Sequence, residues 1–510
     1  MLKPKSPQES FYGSYLYDRI VPTDHLLRKI NQVVDFSFIR QILQDRYNRE
    51  IGRPAEDPEF MLRLCLLQYI YGDSDRQVVE NARLNMAYKY FLGIAVDAEV
   101  PDYTTISYFR AQRLGEEKFR FVLEQIVGQC INKGLVKGNR QIIDSTPIRA
   151  NITLSSITGL VKKCRENVLK TIAKQNTRIA EQLGLQDLRN AEEELEQEIE
   201  AAGKLLDSVT DELRAKKISP TDELQKDLGL LEKVVADRGG SAKDKLISLA
   251  DPDARMGKKT STVWPGYKAH IVMDEESGII TGVKTTPANA TDGSQLKPLL
   301  KEQEEVHAIK PKELTGDKAY DWGENLELLD SNETIANIAI SKQANRWNGP
   351  GYFSVDDFLY DHENNKLMCP AGHISTNCYR EVLYNYQLNK PGYAFQFKAS
   401  LCNVCPLKHK CVKNKEGRRV YISYYEPYYR QAKQRLATEE GKQAYQNRYR
   451  IEQKVADLTR YCGLRRCRYR GLGRAGIHTL LATIACNIKR MAKLLWGKPD
   501  NYYSESAVAG

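Results

Sequence analysis

The sequence predicts an α/β protein whose central sheet brings carboxylates to one end. Three observations lead to this class. An apolar, β-branched run ends in Asp144, an alternating hairpin pattern spans 264–283, and the short strand 313–316 leads into Asp317. Such runs are typical of buried strands, and helical segments between them favour a mixed sheet. An Asp after a strand is more often a turn former or helix cap than a catalyst, so the role of Asp144 depends on its partners.

Composition sets the broad class of the protein. The 510 residues exceed the usual size of one domain, and the net charge of +10 is modest for that length. The polar N-terminus lacks the apolar core of a signal peptide, and no apolar run is long enough to span a bilayer. Eleven irregularly spaced cysteines indicate a reducing compartment. We therefore expect a cytoplasmic protein that has no membrane partner.

Residues 1–135 have the pattern of short helices with tight turns and with capping signals, for example at Asp57-Pro58 and at Ser74-x-x-Gln77. This pattern fits an N-terminal helical DNA-binding domain of the helix-turn-helix kind, and it fits any small helical bundle equally well. Basic residues that could face phosphates, or simply lie on a solvated face, are Arg76, Arg83, Lys89, Arg110 and Arg113.

Residues 161–245 form a compositionally distinct insertion, rich in Glu, Lys, Gln and Leu. The apolar residues between Leu195 and Leu213 are spaced alternately by 4 and 3, which is a heptad seam. This spacing predicts a helical hairpin or short antiparallel coiled coil. It could contact a partner, or it could be a self-packed insertion.

The segments 136–160, 246–340 and 430–500 then form the predicted catalytic core. Their order of strand, hairpin, helix and strand is that of a ribonuclease-H-like sheet, in which carboxylates from separate elements converge. Phosphodiester chemistry of this kind uses two hard cations held by oxygen ligands. We expect the third carboxylate on a helix over 443–457, where Tyr445, Arg448 and Glu452 would share one face. An ordinary surface helix with ion pairs is the alternative for that segment.

Residues 341–429 form a predicted β-rich insertion that carries clustered cysteines. Four of them have spacing suited to a tetrahedral structural zinc site, with His373, Cys378 and His409 as substitute ligands. An unmetallated cluster of reduced thiols is the alternative. The preferred ligands are Cys369, Cys402, Cys405 and Cys411.

A dense arginine run follows Glu452, and Tyr469 lies within it. So many cations in a short span favour an anionic partner such as DNA, although a solvated basic helix has the same composition. The predicted DNA contacts are Arg460, Arg465, Arg466, Arg468 and Arg470, with Arg474 nearby.

Taken together, three acidic segments resemble the signatures of bacterial insertion-sequence transposases of the DDE type. The Tyr–Arg–Glu spacing is similar to that of the insertion-sequence-four superfamily, and the cysteine-bearing segment is most similar to the insertion-sequence-1182 branch. The superfamily has a Lys seven residues after the Glu, where this chain has Thr459 followed by Arg460. The matching stretches are 144–146, 248–255, 266–270, 287–292, 317–321, 445–452 and 463–471.

The resemblance implies metal-dependent cleavage and strand transfer at the terminal inverted repeats of an insertion sequence. Asp144, Asp317 and Glu452 would hold two Mg²⁺ ions, with Mn²⁺ as a substitute, and Tyr445 and Arg448 would contact phosphate. The implied partners are double-stranded DNA and a second copy of the chain, working in the bacterial cytoplasm at the nucleoid. A catalytically silent DNA-binding relative and a plain metal-dependent nuclease are the alternatives.

Overall fold

A computed structural model describes residues 11–44, 55–185, 194–237, 244–259, 261–341, 351–376, 378–381 and 392–496. The chain divides into two compact units. Unit 1 comprises Met1–Gly138, Ile143–Ile309 and Tyr449–Gly510, and unit 2 comprises Asn139–Ile142 and Lys310–Arg448. Strand β1 (Arg140–Arg149) contributes residues to both units.

The described N-terminal part of unit 1 is helical. The predicted capping signals are confirmed: Ser74 and Gln77 form a reciprocal capping box, and Asp57 caps a helix that has Pro58 in its first turn. A π-helical turn over Phe109–Leu114 joins the last two helices. The helices are α1 (Phe11–Ile20), α2 (Leu26–Val33), α3 (Ile39–Ile42), α4 (Pro58–Tyr71), α5 (Asp75–Leu84), α6 (Met86–Leu92), α7 (Tyr103–Tyr108) and α8 (Gly115–Asn132).

Two of the basic residues predicted to face phosphates are buried instead. Arg110 is 5% exposed and donates to the carboxylate of Asp75 at 3.0 Å and to Gln68 Oε1 at 3.2 Å. Lys89 is 6% exposed and donates to the carbonyl oxygen of Val96. A buried cation needs such partners, so both residues stabilise the helical layer rather than face solvent.

A helical insertion follows β1, and it is a small bundle rather than the two-helix coiled coil predicted from the heptads. Helix α9 packs against each of the other three helices, and their apolar side chains share one core. Of the heptad positions between Leu195 and Leu213, Ala202 and Val209 are buried in this core and Ile199, Leu206 and Leu213 are partly buried against it, whereas Leu205, outside the heptad spacing, is buried as well. The helices are α9 (Ile157–Ala173), α10 (Thr177–Gln182), α11 (Leu195–Arg214) and α12 (Asp222–Ala236).

The sheet of unit 1 has the strand order β2-β3-β1, and β4 also pairs with β3. The predicted hairpin is confirmed as β3 (Thr262–Asp274) and β4 (Ile280–Pro287), which pair antiparallel around a turn with Gly278 at φ +68°. At Gly266 a Cβ would lie 2.2 Å from the carbonyl oxygen of Ile148, so this close approach of β3 to β1 requires glycine. The flanking elements are β2 (Arg255–Lys259) and α13 (Leu296–His307).

Unit 2 contains a parallel arrangement of strands. The first residues of β1 pair with β5 (Glu313–Gly316), and β5 pairs with β6 (Ile335–Ile338), both in parallel. Helix α14 (Gly323–Ser331) connects β5 to β6, as a parallel crossover requires.

Two small antiparallel sheets follow in unit 2, in agreement with the predicted β-rich character of this segment. They contain β7 (Leu359–Asp361), β8 (Lys366–Met368) and β9 (Ile374–Ser375), and then β10 (Cys378–Glu381), β11 (Gly392–Gln396) and β12 (Arg419–Ile422). Phe358, Phe395 and Phe397 form their shared core. The short helices between β11 and β12 are α15 (Ala399–Asn403) and α16 (Lys408–Cys411).

The remaining helices are α17 (Glu426–Ala437), α18 (Glu439–Gln446), α19 (Tyr449–Tyr461) and α20 (Leu472–Trp496). Helix α20 lies at the centre of unit 1, where it packs against β4 and against α2, α4 and α8. The N-terminal helices therefore share one core with the sheet. None of the helices in the described ranges is long and apolar enough to cross a membrane.

Candidate functional site

Asp144 lies in the middle of β1, not at its end. The strand continues to Arg149 because Ser145, Thr146 and Ile148 are buried and extended as well. Asp144 is only 6% exposed, and its Oδ1 accepts a hydrogen bond from the backbone N–H of Ser145 at 2.7 Å.

A buried polar network extends from Ser145. The Ser145 hydroxyl donates to Asp292 Oδ2 at 2.8 Å. The ammonium of Lys268 donates to Asp292 Oδ1 and to the Ala290 carbonyl oxygen, both at 2.9 Å. Lys268 and Asp292 entered the sequence analysis only inside motifs that resembled a family. Their spacing of 24 residues contains no local signal that they meet, and only the β3–β4 pairing brings them together.

His270 lies beside this network and is neutral. It is fully buried, and burial lowers its pKa to about 4, against a smaller opposite effect of Asp292. Its Nε2 lies 2.8 Å from the hydroxyl of Thr286, which itself donates to the Pro287 carbonyl oxygen. Its Nδ1 lies 3.8 Å from Asp292 Oδ1.

Asp317 directly follows β5 in unit 2. Its Oδ1 accepts a hydrogen bond from the backbone N–H of Ala319 at 2.9 Å and so caps the 3₁₀ turn Lys318–Tyr320. The next carboxylate, Asp321, accepts from the backbone N–H of Ser341 at 2.7 Å. Asp317 thus fixes the backbone that follows β5, and Asp321 fixes the backbone that follows β6.

Tyr445, Arg448 and Glu452 do not lie on one continuous helix, contrary to the sequence prediction. Helix α18 ends at Gln446, where the backbone N–H of Arg448 bonds the carbonyl oxygen of Tyr445 in a tight turn. Glu452 is exposed in the first turn of α19, where the helix dipole favours an anion. Arg450 holds the start of α19 by donating to the Glu275 carbonyl oxygen at 3.0 Å.

The arginine run is mostly exposed, with one exception. Arg468 donates to the carbonyl oxygens of Asp73 at 2.5 Å and Gln68 at 3.3 Å, and its guanidinium lies over the ring of Tyr69. This arrangement favours a structural role for Arg468 over the predicted DNA contact. The exposed members are Arg460, Arg465, Arg466, Arg470 and Arg474.

Backbone and carboxylate contacts anchor this run to the core of unit 1. Residues Arg465 and Cys467 exchange backbone hydrogen bonds with Arg149, at the end of the strand that carries Asp144. Asp251 Oδ1 accepts from the Tyr267 hydroxyl at 2.5 Å and from the backbone N–H of Gly471 at 3.0 Å. The Asp251 motif, assigned above only by resemblance, thus holds the end of the run and the start of α20.

In unit 2, Cys369, Cys402, Cys405 and Cys411 line one small cavity together with His373. Burial raises the pKa of the Cys411 thiol to about 11; Arg418 opposes this, and the other three cysteines add to it. Cys369, Cys402 and Cys405 are therefore close enough to Cys411 to influence its thiol.

Neither set of metal ligands predicted from the sequence forms a ready coordination sphere. Among the residues that the structure describes, no group of three or more His, Cys, Asp or Glu side chains is arranged to hold a metal ion.

The described fold is mixed α/β: it carries Asp144 in β1, Asp317 directly after β5 and Glu452 on α19, and the arginine run lies around the end of α19 and before α20. Residues 15–112 match the family model of a transposase domain (DUF772), and residues 368–492 match the model of a transposase DDE domain. Both matched segments are thus similar to domains of transposases. No curated protein and no solved structure matches the chain.

The matches cover the candidate residues unevenly. The DDE-domain match includes Glu452, the cysteines and the arginine run, whereas Asp144 and Asp317 lie outside both matched ranges.

Proposed function

We propose that this chain is a DNA transposase that cleaves DNA at the terminal inverted repeats of an insertion sequence and joins the freed ends to target DNA. The observation that carries the proposal is the pair of transposase matches, one on the N-terminal helices and one on the C-terminal third. We further propose membership of the insertion-sequence-four superfamily, in its 1182 branch, with activity in the bacterial cytoplasm on nucleoid DNA.

The strand connections support a ribonuclease-H-like core. In unit 1, β3 and β4 form an antiparallel hairpin. In unit 2, the first residues of β1 pair in parallel with β5, and β5 pairs in parallel with β6. An antiparallel hairpin together with parallel pairs is the combination expected of such a core.

Asp144, Asp317 and Glu452 would hold two Mg²⁺ ions, and Mn²⁺ could replace them. Carboxylate oxygens are the hard donors that these ions prefer, so the chemistry of the set fits. When bound, the ions supply activation of the attacking oxygen and stabilisation of the leaving oxygen. Water first attacks a phosphodiester and releases a 3′-hydroxyl. That hydroxyl then attacks a target phosphodiester in line and displaces the target's own 3′-oxygen.

The basic residues would bind and orient the DNA. Tyr445 and Arg448 would contact phosphate near the cleaved bond, and the exposed arginines of the run would contact the flanking duplex. Joining two ends of one element requires two active sites, so the working form would be a homodimer. We leave Arg468 out of the DNA contacts because its donors bind backbone carbonyls. The arginines assigned to the duplex are Arg460, Arg465, Arg466 and Arg470.

Cys369, Cys402, Cys405 and Cys411 would hold a structural zinc ion. Their common cavity and the electrostatic effect of the other three cysteines on Cys411 support this set. The C-x2-C pair is folded as a turn, in which the backbone N–H of Cys405 bonds the carbonyl oxygen of Cys402. Such a site would stabilise the small sheets of unit 2 and would take no part in the reaction.

The proposal is tested with purified protein, Mg²⁺ and labelled DNA that carries the inverted repeats flanking the gene. We expect cleavage at the repeat and joining of the labelled 3′ end to target DNA. Cleavage without joining would identify a plain nuclease, and binding without cleavage would identify a silent DNA-binding protein. The assignment of the site fails if Asp144→Ala cleaves as fast as the wild type.

A further inference from the structure

Ser145 connects two carboxylates in unit 1. Its backbone N–H donates to Asp144 at 2.7 Å, and its hydroxyl donates to Asp292 at 2.8 Å. Asp292 thus fixes the orientation of Ser145, and Ser145 in turn orients the carboxylate of Asp144.

Asp292 is itself held in a single orientation. Lys268 binds its Oδ1 and is tied to the Ala290 carbonyl oxygen, both at 2.9 Å. The Lys268 and Asp292 side chains are only 14% and 16% exposed, so their interaction is weakly screened by solvent. The positive charge of Lys268 also balances the negative charge of Asp292. Without it, a second uncompensated carboxylate would lie in the neighbourhood of Asp144.

We propose that Asp292, held by Lys268, is a positioning residue that fixes Ser145 and through it the carboxylate of Asp144. This inference rests on the proposed function, in which Asp144 belongs to the active site. Asp292 acts here through Ser145 and needs no contact with substrate. Outer partners that orient a ligand of this kind commonly contribute about 10- to 100-fold in activity or metal affinity.

The test is a double-mutant cycle with Ser145→Ala and Asp292→Ala in the full chain. Single-turnover cleavage of inverted-repeat DNA at saturating protein should slow by about 10- to 100-fold in each variant. Both substitutions interrupt the same chain of hydrogen bonds. The cleavage rate of the double variant should therefore lie within about threefold of the rate of the slower single variant. The dissociation constant for the DNA should stay within about twofold of the wild type, since no phosphate contact is lost.

A second readout is independent of turnover. Mn²⁺ binding, followed by electron paramagnetic resonance of the protein without DNA, should weaken by about tenfold or more in both variants. Ser277→Ala is the matched control, because its buried hydroxyl donates to Asp274 at 2.7 Å at the turn of the same hairpin. That variant should keep wild-type cleavage and Mn²⁺ binding.

The outcomes separate the two claims. A wild type that cleaves no inverted-repeat DNA refutes the proposed function. If the wild type cleaves and Asp144→Ala does not, then multiplicative losses in the double variant, or unchanged cleavage in Ser145→Ala, overturn the positioning role alone. Ser145→Ala removes a single oxygen atom, so it keeps the test decisive even if Asp292→Ala does not fold.

Discussion

Asp251 offers a sharp test of how the arginine run is anchored. It is fully buried, and a single oxygen, Oδ1, accepts both the Tyr267 hydroxyl and the Gly471 backbone N–H. Its Oδ2 is buried without a hydrogen-bond partner. Asn offers the same acceptor oxygen, whereas Ala offers none. The comparison of Asp251→Asn with Asp251→Ala therefore tests the contribution of the acceptor oxygen.

The expected magnitudes follow from these two bonds. Asp251→Ala leaves the Tyr267 hydroxyl and the part-buried Gly471 N–H without this acceptor, and each unsatisfied donor costs about 1–3 kcal/mol, so we expect a loss of roughly 2–6 kcal/mol in the free energy of unfolding of unit 1. Asp251→Asn keeps both bonds but places an amide N–H2 where Oδ2 has no partner, so it should lose about half as much. In the Ala variant the end of the arginine run also loses its anchor, so the affinity for duplex DNA should fall.

The assay is urea denaturation followed by circular dichroism, with DNA affinity measured by fluorescence anisotropy. Tyr267→Phe serves as the control, since it removes one of the two donors and should lose less stability than the Ala variant. Equal losses in Asp251→Asn and Asp251→Ala would refute the argument, because the acceptor oxygen would then contribute nothing.

Three further predictions concern other parts of the chain. Arg466→Ala removes an exposed cation and should weaken binding of duplex DNA uniformly across sequences and lower the salt dependence by about one unit of slope; a change in neither quantity would remove Arg466 from the interface. Purified protein should contain about one zinc per chain by elemental analysis. Cys402→Ser should lose the zinc, whereas Cys378→Ser, which lies outside the cavity, should keep it. Equal loss of zinc in both variants would reject the ligand set. Burial lowers the pKa of His478 to about 3, so the folded state binds fewer protons than the unfolded state between about pH 3 and 6.5, and stability should fall as pH drops through that window. In His478→Gln the urea midpoint should depend less steeply on pH. An unchanged slope would contradict this account.

The sequence predicted the local elements well. The hairpin of β3 and β4, the capping box at Ser74 and the short strand before Asp317 all follow from alternation, capping chemistry and turn residues. These signals act over a few residues, so they survive without knowledge of the packing around them.

What the sequence could not predict depends on partners that are distant along the chain. Arg468 resembled its exposed neighbours in the run, and only the carbonyl oxygens of Gln68 and Asp73 distinguish it. No proline or glycine marks the end of α18 at Gln446, and Asn447, which follows it, has ordinary helical torsions. The role of Asp292 likewise depends on strand pairing that places Lys268 beside it.

The position of α20 has a consequence for synthesis of the protein. The N-terminal helices bury their apolar faces against a helix that begins at Leu472, which is 472 − 132 = 340 residues after the end of α8. At ribosomal rates of about 5–20 residues per second, those faces stay uncovered for roughly 15 to 70 s in the nascent chain. We therefore expect the helices at the start of the chain to engage chaperones while translation continues, and to become protease-resistant only after α20 has emerged.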